Sequence, residues 1–192
     1  MGATVITESN SLLATSRREW RAWLRKNFKK ADEVWLIYYK KETGKPRIAY
    51  NDAVEEALCF GWIDSTVRSV DDGRFAQRFT PRRPHSTYSQ SNKVRLRSLI
   101  LRKKVHRDVL AALGDIQNDS FVIPRDIQNA IQANKRAWKN FKRLSSNYKE
   151  IRIAYIDGAR KRPKEFAKRL KNFIAMTEAG RVIGFGGINR HY

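Results

Sequence analysis

Cys59, Asp64 and His85 supply the residue types of a nucleophile, an orienting acid and a base within one stretch of the chain. Their setting argues against that chemistry. Cys59 closes a helix that ends at Gly61, and a helix C-terminus opposes the negative charge a thiolate needs. Flanked by Leu58 and Phe60, Cys59 reads as a small packed hydrophobe. Asp64 reads as one half of a cross-strand pair with Arg74 or Arg78, and Asp71 and Asp72 are committed to a turn, so no second acid remains for glycoside hydrolysis. One cysteine and three separated histidines, His85, His106 and His191, support neither a disulfide nor a metal site. Gly184-Phe185-Gly186-Gly187 lacks the strand before and helix after that a nucleotide loop requires. No catalytic residue, metal or cofactor is assigned, and the expectation is a non-enzymatic protein.

Binding chemistry is better served. Arg78, Arg82 and Arg83 run from a hairpin arm into a loop stiffened by Pro81 and Pro84, and Tyr88 and Ser89 open the next helix. Guanidinium forks and helix N–H groups suit phosphate or carboxylate, and Tyr88 or Trp62 suits a stacked base. Lys40 and Lys41 stand at a strand end beside a glycine turn, a second place to meet an anion. Lys161, Arg162, Lys164, Lys168 and Arg169 crowd the last helix, expected to be the most cationic surface of the chain. A smaller constellation, Trp62, Asp64 and Arg78, would become a small-molecule or cryptic enzymatic site if a concave pocket gathered them.

The elements that must position these residues follow from periodicity. Thr4 to Thr7 suits an edge strand. Ser16 caps a helix over Arg17 to Asn27 carrying Trp20, Trp23 and Leu24, a stripe expected to bury. Val34 to Tyr39 is a continuous apolar run suited to a central strand. Asn51 or Asp52 caps a helix, with Glu55 completing a capping box, and Gly61 takes the left-handed position that ends it. Trp62 to Val70 alternates as a strand with Asp64 and Val67 on opposite faces. Asp71-Asp72-Gly73 turns it into a returning strand, Arg74 to Thr80. Beyond the loop, helices are expected from Ser89 or Ser91, after Pro124, from Ser146 or Asn147 to a break at Pro163, and beyond it. In the first of these, Val94, Leu96, Leu99, Ile100 and Leu101 face inward, and Arg95 and Arg97 outward. Asp115 to Ser120 reads as a linker.

The run Val54-Glu55-Glu56-Ala57-Leu58-Cys59-Phe60-Gly61-Trp62-Ile63-Asp64, with Arg78-Phe79-Thr80-Pro81-Arg82-Arg83 and Tyr88-Ser89-Gln90-Ser91-Asn92, resembles the YdeI/OmpD-associated family, the bacteriocin-protection proteins. Trp20-Arg21-Ala22-Trp23-Leu24, Val34 to Lys41, Phe141-Lys142-Arg143-Leu144-Ser145 and Ala159-Arg160-Lys161-Arg162-Pro163 extend the resemblance over nearly the whole chain. Where that family carries an acidic residue and Thr-Arg after the proline, this chain has Lys164-Glu165-Phe166-Ala167. The resemblance implies a stress or antimicrobial-resistance setting and no reaction. The order helix, strand, helix, hairpin is also similar to YjbR-like proteins, whose hairpins are described as DNA-binding wings. The fold class expected is therefore α+β: residues 1–92 as a small antiparallel sheet with helices, and residues 93–192 as a basic α-helical module.

Charge selects the partner. Forty Lys and Arg against nineteen Asp and Glu give +21. Residues 1–92 hold 16 basic and 11 acidic side chains, whereas residues 93–192 hold 24 and 8. Such an excess gains affinity for a polyanion by counterion release, which makes nucleic acid the first expected partner and an acidic protein or envelope component the second. With 41% hydrophobic residues the chain has enough apolar material to fold. No apolar run approaches the roughly 18 residues of a membrane span, and no secretory leader is recognisable, so a cytoplasmic location is expected.

Overall fold

The computed structural model describes residues 5–84, 86–114, 116, 120–184 and 191. Its chain divides into two compact units: residues 1–87 with 99–114, and residues 88–98 with 115–192. Together they make an α+β protein.

The first unit is a four-stranded sheet with helices. Its strands β1 (Ser11–Leu13), β2 (Val34–Tyr39), β3 (Trp62–Ser69) and β4 (Arg74–Pro81) lie in the order β1-β2-β4-β3. β1 runs parallel to β2, and the other pairs are antiparallel, so the sheet is mixed where an antiparallel one was expected. The edge strand is Ser11–Leu13, preceded by a 3-10 turn, Glu8–Asn10; of the expected segment, residues 5–7 are in no strand and Thr4 lies outside the described residues. β2 is central and largely buried, as its apolar run requires.

Helix α1 (Arg17–Asn27) is capped by Ser16, whose hydroxyl accepts from the Glu19 N–H at 3.2 Å. Trp20 is fully buried, donates its indole N–H to the Ala53 carbonyl at 3.0 Å and packs on Phe79 with centroids 5.2 Å apart. α2 (Tyr50–Cys59) begins earlier than the Asn51 or Asp52 cap implied, and its N-cap, Ala49, makes no side-chain bond. Asp52 and Glu55 are instead engaged by Arg17. Gly61 takes φ +72° and ends the helix, as expected.

β3 and β4 form the expected hairpin, with one irregularity. Asp64 pairs with Phe79 and Val67 with Gln77, so three steps on β3 oppose two on β4. This bulge brings Asp64 and Val67, separated by regular alternation, to one cleft.

α3 (Gln90–Leu101) contributes residues to both units, and α4 (Arg107–Ala112) belongs to the first. Val94, Leu96 and Leu99 of α3 are buried as expected, but Leu101 is 80% exposed. Arg95 is buried, and Arg97 pairs with Glu150 at 2.6 Å, so neither is the free outward cation that alternation implied.

The second unit packs α5 (Arg125–Gln132), α6 (Lys135–Arg143), α7 (Ser146–Asp157) and α8 (Pro163–Glu178) around Ile127, Ile131, Phe141, Tyr148, Ile153, Ile156 and Phe173. The segment after Pro124 is two helices because Asn134 interrupts it and caps α6 by accepting from the Ala137 N–H at 2.9 Å. Pro163 starts α8 at its first turn.

Candidate functional site

Of the basic constellation predicted around the hairpin, the first unit's Arg78 and Arg82 are engaged within that unit. Arg78 donates to Glu33, with Nε 2.7 Å from Oε2. Arg82 braces its own loop, with Nη2 2.8 Å from the Thr87 carbonyl and its backbone N–H 2.9 Å from the Gly61 carbonyl. Arg83 is exposed, and His85 lies outside the described residues. Trp62 cannot stack a base: its ring is fully buried, edge-on to Trp23, with Nε1 donating to the Phe28 carbonyl at 3.2 Å. In the second unit, Tyr88 is half-buried and Ser89 caps α3, accepting from the Asn92 N–H at 3.3 Å. Lys40 and Lys41 lead into a 3-10 turn ended by Gly44; Lys41 is exposed and Lys40 half-buried.

The cations of the second unit are arranged differently. Lys161, Arg162, Lys164 and Lys168 are exposed at and along the start of α8. Arg169 is not an open cation: it pairs with Glu165 at 2.8 Å, donates to the Tyr155 carbonyl at 2.7 Å, and stacks 3.7 Å from the centre of the Tyr155 ring. With Arg152 and Lys168 it lines a cleft of about 330 Å³.

Sequence reasoning missed α6 as a charged surface. Lys135, Arg136, Lys139, Lys142 and Arg143 are all exposed, and the helix contains no acid. At 100° per residue these five fall within an arc of about 120°, opposite the buried Ala137 and Phe141. None forms an ion pair with a described residue. The signal is local: the run Lys-Arg-Ala-Trp-Lys-Asn-Phe-Lys-Arg sets its cations on the side its apolar spacing leaves free.

A separate cleft of about 420 Å³ opens in the first unit beside Asp64. Asp64 forms neither expected salt bridge: Arg74 pairs with Asp71, while Asp64 Oδ2 accepts from Tyr50 Oη at 2.9 Å and Gln77 Nε2 at 2.8 Å. Tyr38 and Phe75, cross-strand partners stacked at 5.0 Å, form its wall, and Arg47 also lines it. Neither Trp62 nor Arg78 does.

Cys59 is buried, and burial pushes its thiol up to about 11, with the charge of Glu56 adding to the effect. Among the described residues no group of three or more His, Cys, Asp or Glu could hold a metal ion, and no helix is long and apolar enough to cross a membrane.

Residues 12–112 match a family model described as a domain of unknown function (DUF8412). Residues 120–180 match the model described as bacteriocin-protection, YdeI or OmpD-associated. The motif around Cys59 and Asp64 therefore lies in the first match and the helices α5 to α8 in the second. No curated protein and no solved structure matches the chain.

Proposed function

The chain belongs to the DUF8412 family and carries a YdeI/OmpD-associated domain, and from that premise we propose that it binds nucleic acid through phosphate contacts made by its second unit. The observation that carries this reading is the acid-free face of α6, where five exposed cations share one side of a short helix. Lys164, Lys168 and Lys171 supply a second exposed set on α8. Cations grouped in this way meet a polyphosphate together, and the affinity they confer is independent of base sequence.

Fluorescence anisotropy with duplex and single-stranded probes over a range of salt concentrations tests the reading. Binding should weaken log-linearly with salt. Replacing Lys135, Lys139 and Lys142 together by alanine should reduce the slope by about 2 to 3, close to one for each phosphate no longer neutralised. Absence of salt-dependent binding near 0.1 M would remove the proposal. Equal competition by polyglutamate would instead favour an acidic protein or envelope partner, in keeping with the bacteriocin-protection description of the second family.

A further inference from the structure

The Asp64 cleft belongs to the first unit and plays no part in the phosphate contacts proposed above. Three features distinguish it from a surface depression. Tyr38 is 2% exposed, yet its buried hydroxyl has no hydrogen-bond partner among the described residues. Asp64 is held at Oδ2 by Tyr50 and Gln77, and Oδ1 accepts nothing from a described residue. The bulge between Asp64 and Val67 sets a carboxylate and an apolar side chain side by side in one lining.

The charges in the lining are one acid, Asp64, and one base, Arg47; the rest is aromatic, aliphatic or neutral. Burial, with the charge of Asp64 second, raises the Tyr38 hydroxyl far above its ordinary pKa, so it remains a neutral donor close to that carboxylate. A purely anionic ligand would face Asp64, and a purely cationic one would face Arg47. A molecule bearing both charges around an apolar body satisfies each and rests against Phe75 and Ile48. The volume is of the size that small organic ligands occupy.

We propose that this cleft binds a small amphoteric molecule whose ammonium group meets Asp64 and whose carboxylate meets Arg47, the chemistry of an amino acid with an apolar or aromatic side chain. Tyr38 would donate to the same ligand.

Isothermal titration of the full chain with L-phenylalanine, phenethylamine and 3-phenylpropionate tests this. L-phenylalanine should bind in the millimolar range or tighter, and each single-charge analogue should bind at least about tenfold more weakly. Asp64→Asn should weaken L-phenylalanine binding by a similar factor, as should Arg47→Gln, which lies outside regular structure and decides the matter if the first variant does not fold. No binding of L-phenylalanine, equal binding of phenethylamine, or binding unchanged in both variants would overturn the assignment. Nucleic-acid binding by the same variants should be unaltered, so either proposal can fail without the other.

Discussion

Arg17 Nη2 lies 3.0 Å from Oε2 of Glu55, a side chain only 1% exposed. The same guanidinium also bonds Asp52 at 3.0 Å and contacts Glu56, while Arg21 reaches Glu56 at 2.5 Å. Buried carboxylates of this kind persist because their charge is met, and removing one partner leaves it exposed to a low dielectric. Arg17→Met should therefore destabilise the protein by about 3 kcal/mol in chemical denaturation. A loss under about 1 kcal/mol, the value of an exposed pair, would show that the cluster is effectively solvated.

Gly61 joins α2 to β3 at φ +72°, and a Cβ built there would stand 3.4 Å from Val109 Cγ2, an ordinary contact. Strain, rather than collision, is then the penalty for a side chain. Gly61→Ala should cost about 1 to 2 kcal/mol. Gly61→Asn should cost less, because asparagine tolerates the left-handed region. Equal denaturation midpoints for wild type and both variants would contradict this assignment.

Cys59 should be inert in the native protein. With its thiol at about 11 and its side chain buried, almost none is thiolate at pH 8, and labelling with a maleimide should proceed only after denaturant is added. Rapid stoichiometric labelling of folded protein would reopen the nucleophile reading.

Acid should erode stability through carboxylates that sit beside arginines. Hydrogen bonding from Arg160 lowers the pKa of Asp126, and Arg169 and Arg74 do the same for Glu165 and Asp71. Folded values below the unfolded ones mean that the stabilisation is complete above pH about 4 and is lost as pH falls through the folded values. Thermal melts between neutral and strongly acid pH should show a smaller acid-induced drop for Asp126→Asn than for wild type, a difference that high salt diminishes. Identical pH profiles would refute the contribution of this pair.

Elements with strong periodicity or a cap were readable in the sequence. Ser16 before the tryptophan stripe, the apolar run of β2, the Asp71-Asp72-Gly73 turn and Gly61 all lie where residue chemistry puts them. What escaped depends on long-range pairing. β1 has only three residues and gains its identity from lying alongside β2. The β3 bulge is defined by its partner strand, so alternation alone assigned Asp64 and Val67 to opposite faces. Arg78 found Glu33, far away in sequence, in preference to Asp64 on the neighbouring strand. The α6 charge face was local and could have been found by counting acids as well as apolar residues.

The path of α3 has a further consequence. Since the chain passes from one unit to the other near residues 87, 98 and 114, no single scission separates the two units with both left whole. A protease that nicks any one crossing produces fragments in which at least one unit is still composed of two pieces. Wherever the chain is divided, at least one half carries an orphaned portion of the other unit, and function assigned to either unit is best dissected by point substitution in the undivided polypeptide.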